Sequence, residues 1–156
     1  QRWLAFGIKA DSPEQEILLM PVSIDSDESL GDAVMKRIRK EVELASHSPN
    51  QIDVMTGTQS GVWGLFGDIM IVSWQYSPQA EYREAANQDA MQLASRLAQI
   101  TQTLGLPKNT RVRYALHRGI IASSTSQLAA QWRILVAQAM IQLEMEHTSQ
   151  KVESDQ

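Results

Sequence analysis

Asp68 follows Gly67 at the entrance to an apolar run, Ile69-Met70-Ile71-Val72-Ser73-Trp74. A turn glycine followed by β-branched and aromatic residues predicts a tight hairpin that carries the Asp68 carboxylate at its tip. A carboxylate fixed in that way can hold magnesium against phosphate oxygens. One carboxylate rarely makes such a site, so the other reactive side chains have to be weighed. His117 stands beside Arg118 and Gly119, where an imidazole is more often a satisfied, partly buried group than a proton shuttle. His47 and His147 fall near helix ends, where a cation suits the macrodipole, and no two histidines have metal-ligand spacing. Ser123-Ser124-Thr125-Ser126 lacks a Gly-x-Ser-x-Gly elbow and reads as a loop and helix cap. Gly57, Gly61 and Gly64 are not followed by Gly-Lys-Ser/Thr, so they form no phosphate loop. Trp63, Trp74 and Trp132 read as core or interface residues, and Asp53 as a remote carboxylate with no evident partner.

The chain has 156 residues, enough for one domain with a core that needs no staple. A net charge of −4 argues against a general nucleic-acid binder. The one basic cluster, Lys36-Arg37-Ile38-Arg39-Lys40, lies inside a helical pattern and reads as a solvated face. The absence of cysteine removes disulfides, thiol nucleophiles and cysteine-bound zinc together. No stretch approaches the ~20 apolar residues of a membrane span. A chain opening on Gln1, with no signal pattern, reads as a piece of something longer, with any membrane tether in the missing flank.

These side chains must be positioned by a short list of elements. Trp3–Ile8 reads as a short strand, and Ile17–Val22 as a buried strand whose Pro21 marks an edge, a bulge or the strand end. Ser26-Asp27-Glu28 caps an amphipathic helix with Leu30, Val34, Ile38 and Val42 on one stripe. Ile52–Thr56 and Val62–Tyr76 are strand-like, the second broken at Gly67-Asp68. A long helix from about Glu81 to Leu104 stops at Gly105 and Pro107. Arg111–Ala122 alternates as a strand or hairpin bent at Gly119. Gln127–Glu146 is the last helix, with Leu128, Trp132, Leu135, Ala139 and Leu143 on its buried stripe. The single domain therefore spans residues 1–146, and residues 147–156 read as a polar, disordered tail. The order β-α-β-β-α-β is the split-βαβ, ferredoxin-like pattern of an α+β fold. It predicts a mostly antiparallel sheet with helices on one face, plus a C-terminal helix.

Several segments resemble the catalytic domain of class III adenylate and guanylate cyclases, over roughly Ile17 to Glu146. Gly67-Asp68-Ile69-Met70 is similar to the family's Gly-Asp-Ala-Val/Met hairpin. Arg113-Tyr114-Ala115-Leu116-His117-Arg118-Gly119-Ile120-Ile121 is similar to Arg-Ile-Gly-Ile-His-Thr-Gly-Glu-Val. Gln138-Ala139-Met140-Ile141-Gln142-Leu143-Glu144 resembles Asn-x-Ala-x-Arg-Leu-Glu. No GGDEF-like run is present.

The resemblance implies attack of a ribose 3′-hydroxyl on an α-phosphate, driven by two aspartate-held metal ions and by an asparagine and an arginine on the last helix. Asp68 matches the hairpin aspartate. The first-strand aspartate falls at about Ser23, and Asp25, two residues on, lies about 6–7 Å away by strand rise. Metals in a two-metal site sit about 3.5–4 Å apart, so Asp68 and Asp25 together are a displaced metal pair. The asparagine and arginine positions hold Gln138 and Gln142, which are vestigial, and the base-reading lysine falls on Gly64. A glycine that the family places in the loop before the last helix falls near Ile134. Losing the transition-state cation costs about 10³–10⁵ in rate where such residues have been tested in phosphoryl transfer.

The expected function is thus an inactive cyclase-like domain, cytoplasmic, that works as a regulatory, dimerising or signalling module. It pairs with itself or a protein partner and needs no cofactor. One alternative is a weakly active or nucleotide-binding cyclase using Asp25 and Asp68, which needs magnesium or manganese with a nucleoside triphosphate. The other is a ferredoxin-like sensory or ligand-binding domain that shares topology alone.

Overall fold

The computed structural model describes residues 14–26, 30–46, 59–64, 69–122 and 128–154. The expected strands at Trp3–Ile8 and Ile52–Thr56, the Ser123–Ser126 loop and Asp68 itself lie outside the described residues. Among those described, the order is β1 (Glu14–Asp25), α1 (Gly31–Ser46), β2 (Gln59–Gly64), β3 (Ile69–Tyr76), α2 (Ala80–Thr103), β4 (Arg111–Tyr114), β5 (His117–Ala122) and α3 (Leu128–Ser154).

The sheet runs β2-β3-β1-β4, with β5 also on β1, and every pairing is antiparallel. β4 and β5 share one lane beside β1, so the sheet has the four lanes of the ferredoxin-like pattern. Even-numbered residues of β1 and β3, including Leu18, Met20, Val72 and Trp74, meet Ile38 and Val42 of α1 and Ala90 and Leu93 of α2. Odd-numbered Ile17, Leu19, Ile71 and Ile121 meet Trp132, Leu135 and Ala139 of α3 on the other face. The strand period of two therefore feeds two cores. Two helices cover one face, as expected, and the C-terminal helix covers the second.

The sequence placed the bend of the last strand at Gly119, but the break is at Ala115-Leu116. Pro21 supplies the reason. It is neither at an edge nor at a strand end: it sits inside β1, the central strand, paired with Ile71 on the β3 side. Its carbonyl accepts from the Ala115 N–H at 3.3 Å, so its nitrogen faces the same lane. That nitrogen has no hydrogen to give, and the ladder lapses opposite it, between β5 and β4.

Gly119 serves close packing instead. It lies within β5, and a Cβ there would fall 2.2 Å from Leu135 Cδ2 of α3. The missing side chain lets helix and strand approach. α3 also runs on to Ser154, through the polar stretch read as a tail from His147. No helix among the described residues is long and apolar enough to cross a membrane.

Candidate functional site

Ser23 pairs with Ile69 of β3 on one side and with Arg113 of β4 on the other. Residues directly opposite on neighbouring strands point to the same face, and so do residues two apart on one strand. Ser23, Asp25 and Arg113 thus converge on the α3 face at the end of the sheet where β3 begins. Arg113 Nε donates to Asp25 Oδ2, and its Nη2 lies 3.5 Å from Oδ1. The Ser23 hydroxyl donates to the same Oδ1 at 2.9 Å. Arg113 Nη2 also lies 3.8 Å from Glu144 Oε1 on α3. The arginine side chain is largely buried, and its Nη1 has no hydrogen-bond partner among the described residues.

This geometry bears on the sequence-derived metal pair. Asp25 is neutralised by a planar, permanently charged guanidinium, which approaches along the directions a cation would use. The described part of the site therefore fits a divalent ion poorly, and no group of three or more His, Asp or Glu among the described residues could hold one. Asp68 is not among those residues, although Ile69, which follows it in sequence, is opposite Ser23.

The two glutamines lie on α3, which runs antiparallel to the β4–β5 lane. Gln138 Oε1 faces His117 Nε2 at 2.9 Å, a contact that suits an Nε2–H donating to the amide oxygen. His117 is therefore a tie between sheet and helix. Gln142 Nε2 donates to Glu146 Oε1 at 3.3 Å, one turn on along the same helix. Neither glutamine adds charge to the site. Ile134 is an exposed residue within α3, not part of a preceding loop, so it crowds nothing at a loop position. Trp132 is buried against Ile17, Leu19, Ile71 and Ile121 and belongs to the core.

A second polar cluster, on the α1–α2 face, was not foreseen. Glu16 is buried on β1 and receives the Tyr76 hydroxyl at 2.5 Å and a two-point grip from Arg83, Nε at 2.8 Å and Nη2 at 3.0 Å. Arg118 Nε donates to the Tyr76 oxygen at 3.0 Å, and its Nη2 to Asn87 Oδ1. Burial pushes the Glu16 carboxyl up, but the bonds from Arg83 and Tyr76 and the charges of Arg83 and Arg118 outweigh it. The group is held below the usual carboxylate range. Burial, aided by the Glu16 carboxylate, pushes the Tyr76 phenol up to about 12. The one sequence signal for this cluster was the charged pair Glu14 and Glu16 leading into an apolar strand.

No family model matches the chain, and no curated protein matches it. Among solved structures, the crystal structure of the adenylyl cyclase CyaB from P. aeruginosa is similar at 14% identity with a TM-score of 0.45. That match covers 69% of this chain and 57% of the CyaB chain, so the chain spans a little over half the length of that relative. A de novo designed protein, Foldit4, is similar at 18% identity with a TM-score of 0.30, over 65% of this chain and 96% of the other. Overlaps this loose carry no argument about chemistry, and the ferredoxin-like fold stands on the strand order.

Proposed function

We propose that this is a cyclase-like domain without catalysis that serves as a regulatory, dimerising module. The sequence segments around Asp68, Arg113–Ile121 and Gln138–Glu144 support the cyclase-like part. One observation carries the inactive part: the Arg113 guanidinium occupies the Asp25 carboxylate. Phosphoryl transfer needs concentrated positive charge on the triphosphate, and Gln138 and Gln142 supply none. Among the described residues, the cation at the site is Arg113, and it is already committed to an acid. What a cyclase frame without that charge retains is its surface, hence the regulatory reading.

Titration calorimetry with ATP and with GTP, each with manganese, tests the proposal. No heat of binding is expected from either nucleotide. Saturable binding, or any cyclic product on prolonged incubation, overturns the inactive reading in favour of the nucleotide-binding one.

A further inference from the structure

α3 has two apolar faces. The inner one, from Trp132 to Leu143, closes the second core. The outer one carries Ile134, Ile141 and Met145 at 57%, 59% and 59% exposure, with exposed Ala130 and Ala137 completing the stripe. The spacing of four, three, four and four keeps these residues in a single seam. Scattered surface apolar residues are ordinary, but a continuous helical seam with small and large residues in alternation is the form that a partner helix fills.

The charges beside the seam select the partner. Arg133 and Glu144 are eleven positions apart, close to a whole number of turns, so they share one flank, and both are exposed. A second copy lying parallel would carry its Arg133 and Glu144 on the opposite flank of the seam, so that each would face the glutamine side of the other helix, near Gln131 and Gln142, and meet no opposite charge. A second copy lying antiparallel across a two-fold axis sets each Arg133 beside the other copy's Glu144. The same register drops Ile134 between Ile141 and Met145 of the second copy, with Ala137 near the axis. We infer that the outer face of α3 is the self-association surface of this chain, in an antiparallel, two-fold pairing locked by Arg133 and Glu144. This deepens the dimerising reading above and rests on it.

Sedimentation equilibrium on the full chain, with Ile141→Lys and Arg133→Glu variants, is the test. The parent chain is expected to be a dimer. Ile141→Lys buries a charge twice per dimer and is expected to raise the dissociation constant about 100-fold or more. Arg133→Glu is expected to raise it about tenfold. Orientation is read by disulfide trapping, which is clean because the chain has no cysteine. Arg133→Cys mixed with Glu144→Cys is expected to cross-link, and neither variant alone. Should Ile141→Lys misfold by circular dichroism, the trapping result and Arg133→Glu decide. A dimer that survives Ile141→Lys, or Arg133→Cys linking to itself, overturns this surface while leaving the dimerising module intact. A monomeric parent chain overturns both.

Discussion

Tyr76 hands its hydroxyl to Glu16 directly across the β1–β3 pairing, and both residues are buried beneath α2. Two arginines from different elements, Arg83 and Arg118, close the arrangement from the solvent side.

The first consequence is a late-titrating phenol. The folded Tyr76 value of about 12 lies above the usual 10.0. The folded state therefore holds its proton longer. That contribution to stability is complete below pH ~10 and is lost as the pH rises through about 12. Phenolate absorbance should show a component that ionises well above pH 10, and Tyr76→Phe should erase it. The absence of any component that Tyr76→Phe removes above pH 10 would refute the burial of that hydroxyl.

Glu16 acts at the acid end, with the opposite sign. Its folded value is depressed, so its contribution is present above the unfolded value of ~4.3 and disappears as the pH falls through the folded one. Glu16→Gln should cost about 1–3 kcal/mol at pH 7 by urea unfolding. The difference from the parent should shrink below pH ~4. An equal cost at pH 7 and pH 3 would mean that packing, not charge, is what the carboxylate provides.

Gly119→Ala should destabilise by about 1–3 kcal/mol, because the new methyl meets the end of the Leu135 side chain, which must repack within the second core. Adding Leu135→Ala should be less than additive, since the second change makes room for the first. Full additivity in thermal melts would place the strain elsewhere.

Trp132→Ala should cost about 3–5 kcal/mol, as for a buried aromatic that bridges sheet and helix. A loss under about 1 kcal/mol in denaturant unfolding would show that the indole faces a ligand space rather than the core.

How much of this could be read from residues alone follows from the range of the interactions. The element order was legible, and the unbroken apolar run Ile17–Val22 marked a buried strand, but the assignment of Leu18, Met20 and Val22 to one core and of Ile17 and Leu19 to another needed the packed helices. The break opposite Pro21 was missed because its cause lies on a neighbouring strand: the lapse at Ala115-Leu116 is visible once the β1–β4 and β1–β5 registers are known. Gly119 was misread for a related reason. Its lack of a side chain answers to Leu135 on α3, not to local bending. At the candidate site, Asp25 was legible as an acid near the right place. Its engagement was not, since Arg113 is 88 positions away in sequence. The Glu16 cluster is hidden in the same way, with partners 60 and 67 positions distant.

β1 is hydrogen-bonded along both edges, to β3 on one side and to β4 and β5 on the other. In deuterated solvent its amide protons, apart from the one Pro21 never had, should be the last to leave. A stretching force applied to the chain would meet its greatest resistance there, because freeing that one strand means parting three neighbours from it.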